Sequence, residues 1–318
     1  MPNSYLVVGG AGFIGSHFVE ELLARKNGLV RVVDNLCSGT IGHVAKFMDN
    51  PAFEFVKTNV ENTEDLIKAM EGIETVIHLA SNPDIARAAV EPRIDFVQGT
   101  ALTESVAEAA RISGVSTILY ASGSGVYGDA GETILSEKSP TNPISTYGAS
   151  KLAGEALLAS YSFMFGLKCL GFRFANVVGP KQTHGVAFDF LRRLMQVSDR
   201  IEILGDGNQS KSYIYVKDVV SAVLLCEEKI QSGFDVFNVS TPDFVSVNEI
   251  ADMVIEELGS SPKNVKKIHS GGDRGWKADV PVVRLNASKI SKFGWVPLHN
   301  SREAISKSIA EMHSELTR

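Results

Sequence analysis

The sequence is poor in cysteine, and its cysteines are scattered. Cys37, Cys169 and Cys226 form no CxxC pair and stand in no cysteine–histidine cluster. Neither a disulfide framework nor a thiolate metal site is expected, and reduced thiols in a cytoplasmic protein are. No apolar run approaches the ~20 residues that span a bilayer, so no membrane partner is expected. Residues 1–5 lack a basic stretch leading into an apolar one, so they do not read as a secretory leader. Positive charge is not in excess: 31 Lys and Arg face 37 Asp and Glu, a formal net charge of -6. That balance argues against non-specific nucleic-acid binding. Internal repeats and low-complexity segments are also missing.

What is present is an ordinary globular composition, 44% hydrophobic and 21% charged over 318 residues. That is enough chain for one large domain or two modest ones. Short apolar runs alternate with helical patterns. Strands are expected at 5–9, 29–34, 53–60, 75–80, 117–122 and 167–178. Helices are expected at 12–26, at 63–70 with Thr63 as N-cap, at 100–113 with Gly114 as C-cap, and at 147–165. Near-continuous apolar strands separated by helices indicate a parallel sheet covered on both faces. Beyond about residue 180 the rhythm loosens. Helices at 188–197, 216–229, 247–258 and 301–316 mix with a short strand at 235–239, and 260–279 reads as loop. The expected fold is α/β: a Rossmann-type doubly wound parallel sheet with a smaller C-terminal α/β lobe. The division expected is residues 1–180 and 181–318, with some later elements returning to the first part.

Gly9-Gly10-Ala11-Gly12-Phe13-Ile14-Gly15 lies between the first strand and the first helix. Gly9 and Gly12 allow a tight turn that approaches a pyrophosphate, and Gly15 lets helix and sheet pack closely. The helix N-terminus offers unpaired N–H groups and a positive dipole end. Asp34 closes the second strand about 20 residues beyond the last glycine. A carboxylate there accepts hydrogen bonds from the adenosine ribose and repels a 2′-phosphate, so NAD is expected rather than NADP.

Tyr147-Gly-Ala-Ser-Lys151 opens the long fourth helix, and residues four apart share a helix face. A lysine ammonium beside a phenol favours the phenolate, and such a tyrosine can act as a base toward a sugar hydroxyl.

With both motifs in place, the chain resembles the extended short-chain dehydrogenase/reductase family, most closely its UDP-glucose (UDP-galactose) 4-epimerase group. The segments that carry the resemblance are GGAGFIGSH at 9–17, DNLCSG at 34–39, HLAS at 78–81, VYGD at 126–129, PISTYGASK at 143–151, FRFANVVGP at 172–180, GDGNQSKSYIYVKDV at 205–219 and GDRGWKADVP at 272–281. The resemblance implies that Gly9, Gly12, Phe13, Ile14, Gly15, Asp34, Asn35, Ser38 and Gly39 hold the adenosine half of NAD. It places Asn59 and Val60 by the adenine, although the family usually has Asp at the position of Asn59. Leu79, Ala80 and Ser81 would line the path to the nicotinamide, with Tyr147 and Lys151 beside it. Asn176, Lys211, Tyr213, Arg274 and Asp279 would bind the UDP portion. Lys211 stands where arginine is common, so it would act as a point charge rather than a bidentate fork. A homodimer built on helices near 97–113 and 147–165 is also implied.

Three departures bear on the chemistry. The family's catalytic Ser or Thr falls at Gly123, leaving Ser122, Ser124 or a water to polarise the sugar oxygen. The family often has Asn where Phe96 lies. Related 4,6-dehydratases follow the catalytic Thr with Asp-Glu, whereas Ser124 and Gly125 stand here. The best fit is NAD-dependent 4-epimerisation of a UDP-sugar (galactose/glucose, N-acetyl or uronic-acid forms) through a transient 4-keto sugar. Another nucleotide-sugar oxidoreductase or dehydratase, or an NAD-binding regulator, stays open. Val283 stands where some relatives have a bulky tyrosine near the sugar 2-position, which leaves room for an N-acetyl group.

Overall fold

The computed structural model describes residues 3–26, 28–82 and 87–317. The chain runs β1 (Tyr5–Val8), α1 (Phe13–Ala24), β2 (Val30–Asp34), β3 (Phe53–Lys57), α2 (Thr63–Ala69), β4 (Thr75–His78), α3 (Arg93–Asp95), a π-helical turn (Phe96–Ala101), α4 (Leu102–Ser113), β5 (Thr117–Gly123) and α5 (Thr146–Phe165). It continues through β6 (Lys168–Phe174), β7 (Asn176–Val178), α6 (Val186–Gln196), β8 (Arg200–Ile203), β9 (Ser210–Lys211), β10 (Tyr213–Tyr215), α7 (Val216–Lys229), β11 (Phe234–Val239), β12 (Val245–Ser246) and α8 (Val247–Glu257). It ends with β13 (Lys266–His269), β14 (Val282–Val283), α9 (Ser288–Ser291) and α10 (Ser301–Leu316).

Two compact units divide the chain. The first comprises residues 1–126, 145–173 and 220–237, and the second 127–144, 174–219 and 238–318. The first is organised by a seven-stranded sheet in the order β11-β6-β5-β4-β1-β2-β3. Pairs β2–β3, β1–β2, β1–β4 and β4–β5 are parallel. Strands β1 and β4 are buried at every residue, as apolar runs in a sheet covered on both faces must be. Leu6, Val8, Leu66, Met70, Val106, Ile118 and Leu158 belong to one core on this sheet. The strand order reverses at β1 and β4, and the carboxyl edge of a sheet opens into a crevice at such a point.

The second unit has its own core, in which Phe190, Leu191, Ile201, Tyr215, Ile250, Val254, Ile305 and Ile309 pack together. Small sheets β12-β9-β14, β7–β10 and β8–β13 accompany helices α6, α8 and α10. Both α8 and α10 open with reciprocal caps, Ser246 with Glu249 and Asn300 with Glu303.

Several local expectations change. Helix α2 is capped by Asn62, whose side chain accepts from the Asp65 N–H, and Thr63 is the first helical residue. Residues 260–279 are not loop throughout, because β13 pairs with β8 in parallel. The strand expected at 167–178 splits at Ala175 into β6 and β7, which join different sheets. A π-helical turn precedes α4 where regular helix was expected from residue 100.

Candidate active site

The glycine turn follows β1 directly. Gly9 has φ +83°, and a Cβ there would sit 3.0 Å from the Ala80 nitrogen. A Cβ at Gly15 would overlap the Gly9 carbonyl oxygen and lie 2.7 Å from the Gly10 Cα, so the turn and helix meet backbone to backbone. Helix α1 begins after Gly12 with no side-chain cap and no acidic residue in its first turn. Its N-terminal N–H groups and positive dipole end are therefore not neutralised by the chain itself.

Asp34, at the end of β2, is buried. One oxygen accepts from the Ala11 N–H at 2.9 Å and the other from the Leu36 N–H at 2.8 Å. The carboxylate thus braces the glycine turn, and each oxygen keeps a lone pair for a further donor. Gly39 packs against Ala11 and Asp34, while Asn35 and Ser38 are exposed beside it. After β3, Val60 is buried and Asn59 is exposed, with its side chain on Glu61 at 3.2 Å. After β4, the Leu79 and Ala80 N–H groups bond the Val8 carbonyl, which sets residues 79–81 beside the glycine turn. A glycine-rich cradle, an uncapped helix N-terminus and a carboxylate at the second strand end fit NAD.

Helix α5 is capped by Ser145, whose hydroxyl accepts from the Gly148 N–H at 3.0 Å. This cap fixes the first turn, from which Tyr147 and Lys151 project one turn apart. Lys151 is buried, its Nζ donates to the Ala121 carbonyl at 2.8 Å, and it lies 5.5 Å from the Tyr147 ring centre. Burial pulls Lys151 down to about 8, and the Asp95 charge opposes that fall. Burial pushes the Tyr147 hydroxyl above its ordinary value; a hydrogen bond with Ser81 works downward and the Asp95 charge upward. The lysine effect expected from sequence does not set the sign here. Desolvation of the phenol outweighs it, and the ammonium hydrogen-bonds a carbonyl rather than the hydroxyl. His78 is buried, bonded through Nε2 to Thr103 at 3.1 Å, and held neutral with a value near 3.

The two serines flanking Gly123 differ. The Ser122 hydroxyl donates to Glu155 at 2.5 Å, and that carboxylate also takes two bonds from Arg173, at 2.9 and 2.6 Å. All three side chains are buried, so Ser122 belongs to an ion-pair network and its proton is committed. Ser124 lies past the strand in a partly exposed 3-10 turn. A Cβ at Gly123 would meet nothing within 4 Å, so the backbone there faces open space. Phe96 is 55% exposed at the start of the π-helical turn.

In the second unit, the candidate UDP residues form a cluster. Asn176 and Tyr213 are register partners on β7 and β10 and hydrogen-bond through their side chains. Lys211 pairs with Asp279 at 2.7 Å, and Asp279 also accepts from the Gly275 N–H at 3.1 Å. Arg274 lies next in the chain, on Asp273 at 2.9 Å and Asp129 at 3.2 Å. Roles for Asp95, Asn82 and Thr146 beside the Tyr147–Lys151 pair, and for the Glu155–Arg173 ion pair, were not expected from sequence. Thr146 and Arg173 stand inside the segments at 143–151 and 172–180, but their partners lie far away in the chain, so each gains its role only from the fold. Among the described residues no cluster of metal-binding side chains occurs, and no helix is long and apolar enough to cross a membrane.

A Rossmann-type sheet with a glycine cradle and a Tyr–Lys pair at its carboxyl edge defines an NAD-dependent enzyme. The chain belongs to the NAD dependent epimerase/dehydratase family, whose model matches residues 5–240. It is 32% identical to a UDP-glucose 4-epimerase of Mycolicibacterium smegmatis over 96% of each chain. A solved UDP-galactose 4-epimerase superposes with a TM-score of 0.85 at 38% identity, covering 98% of this chain and 99% of that one. A UDP-glucose 4-epimerase from Thermotoga maritima, solved with UDP-glucose, superposes with a TM-score of 0.88 at 30% identity, covering 98% and 99%.

Proposed function

We propose that this protein is an NAD-dependent 4-epimerase of UDP-sugars that acts through a transient 4-keto sugar. The observation that carries the reading is the Tyr147–Lys151 pair, built on the same unit as the glycine cradle, with Ser124 and Gly125 after Gly123 where an acid pair would mark a dehydratase. NAD, when bound, supplies the hydride acceptor and donor for the sugar C4. Gly9, Gly12, Gly15, Asp34 and their neighbours Phe13, Ile14, Asn35, Ser38 and Gly39 hold its adenosine half, with Asn59 and Val60 by the adenine. Leu79, Ala80, Ser81 and Lys151 hold its nicotinamide half. Tyr147 takes the proton of the sugar 4-hydroxyl and later returns one. Ser124 or a water polarises the same oxygen, because the Ser122 hydroxyl serves Glu155.

The UDP portion falls to Asn176, Lys211, Tyr213, Arg274 and Asp279 of the second unit. Binding energy placed on the nucleotide leaves the sugar free to turn over between the two hydride steps. Val283, a modest side chain on β14 in register with Lys211, supports acceptance of N-acetylated sugars. The free thiols of Cys37, Cys169 and Cys226 support a cytoplasmic location. Phe163, Met164 and Phe165 at the end of α5 and Ile112 on α4 are exposed apolar side chains on the helices that would form the homodimer.

Incubation with UDP-galactose and NAD tests the reading. The expected product is UDP-glucose with no net NADH, and UDP-N-acetylgalactosamine is epimerised at a comparable rate. Accumulating NADH or a 4-keto-6-deoxy sugar would overturn the assignment in favour of another oxidoreductase or a dehydratase.

A further inference from the structure

One buried carboxylate near the Tyr147–Lys151 pair is used by none of the roles above. Asp95 ends α3 and is 1% exposed. Its Oδ1 accepts from Asn82 Nδ2 at 2.8 Å and its Oδ2 from Thr146 Oγ1 at 2.6 Å. Thr146 is the first residue of α5 and adjoins Tyr147 in the chain. Asn82 follows the strand-end segment that contains Ser81, the hydrogen-bond partner of Tyr147. One carboxylate therefore joins the segment that carries Tyr147 to the segment that carries its hydrogen-bond partner Ser81.

Both donors to Asp95 are neutral. An amide side chain could satisfy both: its oxygen would accept from Asn82 and its NH2 would donate to the Thr146 oxygen. Burying a carboxylate instead carries a large desolvation cost. The charge makes physical sense beside a second buried charge, and Lys151 is that charge. The other ionisable groups packed around Lys151 do not counter it. His78 on β4 is neutral, Tyr120 on β5 is buried with its hydroxyl pushed up, and Glu155 on α5 is engaged by Arg173 of β6 and by Ser122.

We propose that Asp95 is a positioning residue for the catalytic pair: it anchors the first turn of α5 through Thr146 and supplies the buried negative charge that keeps Lys151 an ammonium. The same charge disfavours the phenolate of Tyr147, so the site gives up some tyrosine acidity to retain a charged lysine. This inference rests on the reading of Tyr147 as the base.

Three variants of the full chain separate the parts. Asp95→Asn keeps both hydrogen bonds and removes the charge. Its kcat–pH profile should move to lower pH on both limbs by about one unit or more. In the cofactor-free protein, the ultraviolet tyrosinate titration assigned to Tyr147 (the difference from Tyr147→Phe in each background) should fall by the same direction and order. Unshifted limbs and an unshifted titration in active Asp95→Asn overturn the electrostatic half. Thr146→Val keeps the charge and removes the anchor, so kcat should fall about tenfold with the pH profile unmoved. Wild-type kcat in Thr146→Val overturns the anchoring half, and that variant carries the test if Asp95→Asn does not fold. An inactive wild type, or full turnover in Tyr147→Phe, would instead defeat the epimerase reading, whatever Asp95 does.

Discussion

At the residue scale, the hydroxyl inventory around Tyr147 decides which variants matter. Ser122 donates to a carboxylate that already holds a bidentate arginine, so it serves stability. Ser122→Ala should cost about 1.5–3 kcal/mol in urea unfolding, the range for a bond to a charged group, with kcat changed by less than tenfold. A hundredfold loss of kcat in a stable Ser122→Ala protein would return Ser122 to the catalytic set. Gly123 is the converse case. Nothing obstructs a side chain there, so Gly123→Ser adds a donor without repacking. Its kcat on UDP-galactose should rise by up to ~10²-fold, the scale of one well-placed donor to a developing oxyanion. An unchanged kcat with unchanged NAD affinity would mean that the native site already has its donor.

At the element scale, the contact between the glycine turn and α1 leaves no room for a side chain. Gly15→Ala pushes a methyl into the Gly9 carbonyl and the Gly10 Cα, both backbone, so relief requires moving the helix or the turn. We expect a loss of about 1–3 kcal/mol and at least tenfold weaker NAD binding, read by thermal unfolding with and without NAD and by titration calorimetry. Wild-type affinity in Gly15→Ala would show that α1 can shift without disturbing the cradle. Helix α10 gives a milder case. Asn300 caps it reciprocally with Glu303, and Asn300→Ala should cost about 1 kcal/mol while leaving NAD affinity unchanged.

At the scale of the whole molecule, buried ionisable groups contribute to the pH dependence of stability. His78 has a folded value near 3 against an ordinary 6.5, so the unfolded chain takes up its proton first. The stability it contributes is complete above the unfolded value and is lost as pH falls from there through the folded one, at up to about 1.4 kcal/mol per pH unit. His78→Gln should flatten the fall of the urea midpoint between pH 6 and 4, a window set by those two values. An equally steep fall in the variant would place the acid sensitivity elsewhere. Glu227 acts in the opposite sense. Burial raises its carboxyl despite bonds from Thr75 and Tyr5, so its burden on the fold is lifted as pH drops.

Much of this protein is local in origin and therefore legible in one dimension. Apolar runs ending in Gly9, Asp34 and Ala80 mark the parallel strands, because burial on both faces leaves no room for polar alternation. The glycine spacing marks the cradle, and the four-residue step from Tyr147 to Lys151 marks a shared helix face. What only the tertiary structure decided are the properties that depend on neighbours distant in sequence. Ser122 is claimed by Glu155, 33 positions away, which Arg173 engages in turn, and no pattern around Ser122 announces that network. Asp95 reaches Thr146 across 51 positions. The acidity of Tyr147 is set against its lysine by desolvation, which exists only once the chain has closed around it. Residue type and spacing determine which groups are brought for the chemistry. Burial and long-range hydrogen bonding determine which proton each one holds.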